Sequence, residues 1–511
     1  MTNSKTPSAA TQRPIRHVFL GNLERLGNKL PNPAILFLIL LVLLAVISYS
    51  MELAGLTAID PRTHEPIVAK SLISREGFDW LLSNLIKNYI NFPPLGMVIV
   101  LTLGLGVASE TGFLKTLIHH SMQHISQRYV TAAVVFISFM SHLASNAAII
   151  IMPPLAAMLF HSLGRHPLAG FACSVAAIES GFTANILIVT TDVLLSGITT
   201  QAAHSIEPAL TVSPVDNWYF ISFSVLYLTV FTTLITEKWL EPRLGTYQAQ
   251  TPLTLPHVSN QEKKALHQSG IAAFIYIAVI FLLAFPETGL LRNPQTHSLL
   301  NSPLMRGMIP LICGFLLTVG LTYGISIKKI TNADTLIQCM SHAVKGLSNF
   351  LVMAFFIAQF IAAFTWTNMA SILAINGSWV LQSIHMTGLP AFICFMLFSQ
   401  VMGLCIASGS AIWAMLSTIF VPMFMLLGYH PAFIQAAFRA GNGSLNSIAL
   451  TNPFLPFFLE VIRTYKKDSG IGTFLSLMMP YAVAYLVLWY GLFIFWYCMG
   501  WPVGPGIPQH L

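Results

Sequence analysis

Long apolar segments recur along the chain, and most of them run to about 20 residues between polar loops. An α-helix of that length crosses the hydrocarbon core of a bilayer, which is about 30 Å thick. The pattern therefore predicts an all-α polytopic membrane protein with nine transmembrane helices, at residues 34–53, 94–114, 167–190, 217–236, 269–286, 307–326, 346–366, 432–456 and 473–497.

Two further apolar regions, 129–162 and 389–427, are interrupted in the middle by "SHLASNAA" and "CIASGSAIW". Cytoplasmic loops of membrane proteins are enriched in Lys and Arg. Here the basic residues lie in the N-terminal tail and in a few loops, at Lys115, Arg128, Lys238, Arg243, Lys263, Lys264, Lys328, Lys329 and "RTYKKD". These loops share one side only if each interrupted region enters and leaves on the same face. We therefore predict two re-entrant helical hairpins, the first from the cytoplasm and the second from outside, and a cytoplasmic N-terminus.

The two interrupted regions also resemble each other. The first contains "ASNAAI" and then "LGRHP", and the second contains "ASGSAI" and then "LGYHP", with 22 and 23 residues from the first Ala to the His. Further on, "ILIVTTDVLL" aligns with "NSIALTNPFL", which pairs Asp192 with Asn452 and Thr191 with Thr451. Because one copy starts inside and the other outside, this is an inverted repeat, the architecture of many secondary transporters.

The composition agrees with this fold and excludes other classes of protein. Only 8% of the 511 residues are charged, against about 25% in soluble proteins. The net charge of +7 is spread over short loops and does not indicate nucleic-acid binding. The six cysteines stand singly, and the chain has neither H-E-x-x-H nor a cysteine–histidine grouping. We therefore expect no enzyme, no metal centre and no cofactor apart from a coupling ion, H⁺ or Na⁺.

Helix breaks at membrane depth are tolerated only where they are buried in protein or line a water-filled cavity. Ser145 and Asn146 form the predicted tip of the first hairpin, and Ser408, Gly409 and Ser410 that of the second. Their oxygens and the exposed helix-end amides would bind an anionic group and a small cation. The alternative is that these tips only satisfy their own backbone through local hydrogen bonds.

Carboxylates inside the membrane are costly and indicate function. Asp192 lies in "SGFTANILIVTTDVLLSG", where we expect the apolar part to span and the Thr-Thr-Asp part to break the helix. Glu179 lies just before this segment and is a second candidate to carry protons. Thr191, Asn146 and Asn452 complete the predicted coupling-ion site. The alternative is that Asp192 is a solvent-exposed cap at a helix end.

Arg439 is a cation in a segment that is otherwise uncharged up to Glu460. It could clamp a carboxylate through two hydrogen bonds or extend to the membrane interface. Trp413 follows the second hairpin tip and either stacks on a bound aromatic ring or packs in the core. Asn442, at "NGS", marks a further helix break, and Asn185 is a polar candidate in the Asp192 segment.

The chain resembles the p-aminobenzoyl-glutamate transporter (AbgT) family over nearly its whole length. The resemblance lies in "ERLGNKLPNPAILF", "NFPPLGMVIVLTLGLGVAS", "SHLASNAAIIIMPP", "GRHPLAG", "GFTANILIVTTDVLLSGI", "DNWYF", "LITEKWLEPRLG", "FTWTNM", "IASGSAIWAMLSTIFVPMFMLLGYHPAF" and "PVGPGIP". It implies a homodimer in the bacterial inner membrane, with an inner oligomerisation domain, an outer transport domain and transport driven by an ion gradient. The pathway positions of the family match Asp192, Ser410, Trp413, Pro431 and Arg439.

The likeness is greatest to members that import p-aminobenzoyl-glutamate, whereas more distant relatives are linked to sulfonamide efflux. Relatives carry acidic residues where this chain has Asn146 and Asn442, so Asp192 and Glu179 are its remaining intramembrane carboxylates. The hypothesis is a secondary transporter of p-aminobenzoyl-glutamate or a similar aromatic amide of glutamate. The hairpin tips and Arg439 would hold its carboxylates and Trp413 its ring. Efflux of sulfonamide-type drugs or folate-related metabolites is the alternative, and a channel stays open.

The predicted regions follow from the repeat. They are a cytoplasmic tail (1–33), first spans that belong to the scaffold and partly to the transport region (34–128), a first transport half with hairpin 1 (129–205), scaffold and dimerisation spans (206–345), a second transport half with hairpin 2 (346–460), and a last span with its tail (461–511).

Overall fold

The computed structural model describes residues 33–59, 64–123, 126–144, 146–182, 184–247, 258–299, 302–406, 408–449 and 451–511. The predicted N-terminal tail before residue 33 and the hairpin residue Ser145 lie outside this described part, as does the side chain of Asn146. The described chain is mainly α-helical, and its regular strands form one small antiparallel pair in which Thr57 faces Val68.

The elements of the first half are α1 (Pro33–Leu53), β1 (Thr57–Ile59), β2 (Pro66–Val68), α2 (Arg75–Ile90), α3 (Pro93–Glu110), α4 (Phe113–Gln123), α5 (Val130–Met140), α6 (Asn146–Ser162), α7 (Pro167–Val175), α8 (Thr190–Ala203) and α9 (Trp218–Ile235). A 3₁₀ segment, Ser141–Ala144, separates α5 from α6, and a π-helical segment, Ala176–Ser180, extends α7. A second π-helical segment, Thr236–Leu240, follows α9.

The second half contains α10 (Glu241–Leu244), α11 (Asn260–Ala284), α12 (Pro303–Arg306), α13 (Met308–Ser326), α14 (Ala333–Lys345), α15 (Ser348–Trp366), α16 (Met369–Ser383), α17 (Leu389–Cys405), α18 (Gly409–Leu426), α19 (Pro431–Gly443), α20 (Leu455–Tyr465) and α21 (Ile471–Met499). A short 3₁₀ turn, Asn446–Ile448, lies between α19 and α20.

The predicted all-α polytopic fold is confirmed. In the described part of the chain, eight helical stretches are long and apolar enough to cross a membrane. Seven of them coincide with predicted spans, and the eighth, Gly409–Leu426, is one arm of the second hairpin. The predicted spans at 167–190 and 432–456 are instead broken helices, because regular helix stops at Ser180 in one and at Gly443 in the other.

The position of the first break corrects one expectation. The Thr-Thr-Asp sequence is not unwound, because it forms the first turn of α8, which begins at Thr190. The break is the preceding stretch, from Gly181 to Val189. Asp192 lies at the third position of the helix, and its Oδ2 accepts the Val189 backbone N–H at 2.8 Å. A carboxylate there satisfies one of the donors that a helix start leaves unpaired.

In both copies of the repeat, the broken helix starts with a capping histidine followed by a proline. In both α7 and α19 a proline occupies the first position, where its missing N–H costs nothing. The preceding His166 and His430 accept the N–H of Leu168 and of Ala432 through Nδ1, each at 3.2 Å. An accepting Nδ1 requires a neutral ring, and burial lowers the pKa of both histidines, that of His430 to about 4.

A small apolar cluster joins the strand pair to α16. Otherwise the helices of the described chain pack around two large apolar clusters. The larger combines both hairpins with α1, α9, α15, α16 and α21, and the smaller joins α3 and α13 to the start of α8. The backbones of α3 and α13 approach closely, since a β-carbon at Gly104 would meet the carbonyl oxygen of Cys313. Small residues at such crossings are typical of membrane helices. The division into scaffold and transport regions stays a prediction.

Candidate functional site

The two broken helices meet each other at their breaks. The Oγ of Ser180, at the end of the π-helical segment, donates to the Oγ of Ser447 at 2.7 Å. The side chain of Asn452 hydrogen-bonds Glu179. Because an ionised carboxylate only accepts hydrogen bonds, the amide N–H₂ of Asn452 is the donor in this contact, while its Oδ1 accepts the Phe454 N–H at 2.8 Å. The inverted repeat thus brings together polar residues that are far apart in sequence.

A cavity of about 400 Å³ lies at this junction. Its lining residues come from α6, the π-helical segment, the second hairpin and the second break, and they are Ile149, Glu179, Gly403, Ser408, Asn446, Ala449, Thr451, Asn452, Pro453 and Phe454. Two of its polar atoms, Glu179 Oε1 and Thr451 Oγ1, are buried without a hydrogen-bond partner in the described chain. Buried polar atoms are normally paired, so this cavity has unused capacity to bind a polar ligand.

A buried ion pair lies apart from the cavity lining. Arg439 Nη1 donates to Asp192 Oδ1 at 2.5 Å, and the side chains are 1% and 6% exposed. The pair ties the first turn of α8 to the middle of α19. Because both side chains are buried to this degree, Arg439 does not extend to the membrane interface and Asp192 is not a solvent-exposed helix cap.

Trp413 belongs to a buried polar network. Its ring stacks on Phe438 at 4.6 Å between centroids, and its Nε1–H donates to Thr199 Oγ1 at 2.9 Å. Thr199 in turn donates to Gln435 Oε1 at 2.5 Å, and Gln435 Nε2 donates to Asn217 Oδ1 at 2.8 Å. The network connects α8, α18 and α19, and in this conformation the indole packs inside the protein.

The second hairpin tip is held by local bonds and by one close contact. Ser408 caps α18 by accepting the Ala411 N–H at 3.3 Å, and its Oγ lies 3.3 Å from that of Ser410. A β-carbon at Gly409 would lie 2.6 Å from the ring of Phe182. Phe182 itself has φ of +42°, a left-handed value that is strained for a bulky residue. This strain lies at the first break, between the hairpin tip and α19.

The other predicted residues have more local roles. Asn185 donates to the carbonyl oxygens of Phe139 (2.9 Å) and Met140 (3.1 Å) and accepts the Leu187 N–H at 2.8 Å, so it fastens the first break to the end of α5. Asn442 donates to Ser399 O at 3.3 Å.

The remaining two members of the predicted set do not line the cavity. Thr191 is half-buried in the first turn of α8, and Pro431 opens α19.

The predicted set therefore falls into separate groups. Glu179, Ser408 and Asn452 line the cavity, and Asp192 pairs with Arg439. Sequence reasoning missed further polar residues, namely Asn446 and Thr451 in the cavity and Thr199, Gln435 and Asn217 in the network. The first two lie in "NSIALTNPFL", the segment that the repeat alignment matched to the Asp192 segment. That alignment could therefore have identified both residues as candidates.

Comparison with known proteins gives consistent matches over nearly the whole chain or all of it. Residues 18–511 match the family model described as "AbgT putative transporter family". The p-aminobenzoyl-glutamate transport protein of Escherichia coli (strain K12) is 42% identical over 511 residues, with both chains fully covered.

Two solved structures are also similar. The Alcanivorax borkumensis YdaH transporter superposes with a TM-score of 0.89 at 34% identity, over 93% of this chain and 100% of that one. Neisseria gonorrhoeae MtrF, described with a class of antimetabolite efflux pumps, gives 0.90 at 36% identity, over 96% and 100%.

Proposed function

The chain belongs to the AbgT transporter family, and we propose that it is an ion-gradient-driven secondary transporter of p-aminobenzoyl-glutamate or a similar aromatic amide of glutamate. That it is a multi-pass membrane transporter follows from the family. The observation that supports this substrate is the 42% identity, over the whole of both chains, to the protein named for p-aminobenzoyl-glutamate transport. The bacterial inner membrane, a homodimer and a cytoplasmic N-terminus belong to the same proposal.

The cavity between the breaks is the proposed substrate site. Its volume of about 400 Å³ lies within the range of small-molecule sites, roughly 300–1,000 Å³. Ser408, Asn446 and Thr451 offer hydroxyl and amide groups to a carboxylate. Glu179 projects into the same space, and its anion would repel a dianionic substrate. The substrate therefore enters with Glu179 neutralised by a coupling ion or facing the aromatic amine.

The Asp192–Arg439 pair is the second place where we propose that ion binding is coupled to substrate binding. Arg439 is engaged by Asp192 in this conformation, so a substrate carboxylate must compete with Asp192 for the guanidinium. A proton or a sodium ion on Asp192 weakens its hold on Arg439 and offers the guanidinium to the substrate. Ion binding and substrate binding would then favour each other, as symport requires.

Uptake of labelled p-aminobenzoyl-glutamate into proteoliposomes, with the Na⁺ and H⁺ gradients varied independently, tests the proposal. We expect accumulation above equilibrium under one of the two gradients. Glu179→Gln and Asp192→Asn should both abolish accumulation under a proton gradient. Under a sodium gradient, Asp192→Asn should retain part of it, because an amide oxygen still coordinates a cation. Glu460→Gln, at an exposed carboxylate, is the matched control. Absence of uptake under both gradients would refute the substrate assignment.

Efflux is the second candidate, favoured by the similarity to MtrF. Sulfonamides share the p-aminobenzoyl shape, so an exporter would raise sulfonamide resistance in a sensitive host. Resistance that is lost in Asp192→Ala while Glu460→Gln retains it would favour export. Uptake without any change in resistance would favour import.

A further inference from the structure

His142 is a buried histidine that the proposed transport steps do not use. It lies in the 3₁₀ segment before the first hairpin tip and is 8% exposed. Its Nδ1 lies 2.8 Å from the carbonyl oxygen of Phe139, and its Nε2 lies 3.0 Å from that of Ile178. The ring therefore bridges the end of α5 and the π-helical segment that carries Glu179.

Both ring nitrogens of His142 face acceptors, and this fixes the number of protons that the ring needs. A neutral imidazole has one N–H and one lone pair, whereas the imidazolium has two N–H groups. A backbone carbonyl oxygen has no proton to offer. In the neutral ring, one nitrogen lone pair would face an oxygen lone pair at about 3 Å, and a buried polar contact of that kind costs free energy. Only the imidazolium satisfies both contacts.

Two neighbouring charges act on a buried imidazolium in opposite directions. Asp192 and Arg439 are the charged groups that act on the ring, and Glu179 follows Ile178 in the chain. Among the elements packed against the 3₁₀ segment, α5 has no titratable side chain, and Glu110 of α3 and His161 of α6 lie near the ends of their helices. Asp192 favours the imidazolium and Arg439 opposes it, so the two carbonyl contacts decide whether the ring holds two protons.

We propose that His142 is a proton-binding site that joins hairpin 1 to the π-helical segment and that its proton holds this junction closed. When the ring loses its proton, the contact to Ile178 or that to Phe139 changes from attractive to repulsive. The hairpin end and the segment with Glu179 are then free to separate. The proposal concerns the protein without substrate, so it stands apart from the identity of the substrate and of the driving ion.

Nitrogen NMR of ¹⁵N-histidine-labelled protein in lipid tests the protonation directly. The two ring nitrogens resonate close together in the imidazolium and far apart in the neutral ring. We expect His142→Gln to remove one imidazolium pair that wild type shows at neutral pH. His161→Gln, at a second buried histidine, should leave that pair in place. A neutral pattern for His142 at every pH from about 5 to about 9 would overturn the proposal.

Hydrogen exchange of wild-type protein supplies a test that needs no variant. After correction for the intrinsic pH dependence, protection of the amides at 141–144 and 176–180 should fall by at least about tenfold, equivalent to roughly 1.4 kcal/mol, as the pH rises through the titration of His142. Protection that stays constant over the same range would contradict the proposed junction. The uptake assay provides a separate readout, because a failure of transport leaves both of these measurements unaffected.

Discussion

The Asp192–Arg439 ion pair allows a quantitative test of the structure. At 2.5 Å and an effective dielectric constant near 20, the gross attraction is about 6–7 kcal/mol, which desolvation of both groups largely offsets. Removing one partner leaves the other charge buried and unpaired, which costs about 3–5 kcal/mol. We therefore expect Asp192→Ala and Arg439→Ala each to lower the free energy of unfolding by about that amount.

The double variant Asp192→Ala/Arg439→Ala distinguishes pairing from simple loss of packing. With both charges removed, no buried charge is left unpaired, so the double variant should be more stable than the sum of the two losses predicts, by about 2–3 kcal/mol. Denaturant titration in detergent, followed by tryptophan fluorescence, measures these free energies. Losses that simply add would refute the pairing.

Arg165 and Glu241 form the matched control pair. Their N–O distance is also 2.5 Å, but the side chains are 21% and 20% exposed. Because solvent screens this pair, Glu241→Ala should cost only about 1 kcal/mol. A loss as large as that in Asp192→Ala would show that burial is not the cause of the difference between the two sites.

Two further predictions concern packing and pH. Gly443→Ala places a β-carbon against the Cβ of Phe182 and should destabilise the protein by about 1–3 kcal/mol. Gly472→Ala, with open space around it, should be neutral in the same unfolding assay. The half-buried His430, with its pKa lowered by desolvation from 6.5 to about 4, takes up a proton more readily in the unfolded chain, so stability should fall as the pH drops from about 6.5 to about 4. His430→Asn keeps a capping side chain and should flatten that dependence, and an unchanged slope would exclude this histidine as its source.

The repeat was visible in the sequence because it rests on local features. The matching "LGRHP" and "LGYHP" become the same structure in both copies, a histidine cap followed by a proline at the first helical position. Cap chemistry acts within a few residues, so a short stretch of sequence is sufficient to specify it. The exact limits of the first break depended on more than local sequence, because the fold recruits Thr190, Thr191 and Asp192 into α8.

The sequence by itself determined the class of fold, seven of the nine predicted spans, the two hairpins and the identity of the polar segments. The bilayer imposes a length and an apolar composition on every span, and both can be counted along the chain. Only the tertiary structure decided which polar groups meet. Asp192 and Arg439 are 247 residues apart, and Ser180 and Ser447 are 267 apart. Such pairs depend on how the helices cross, which the pattern of apolar positions does not encode. For the same reason the cavity beside Glu179 could be located only after the two copies were seen packed together.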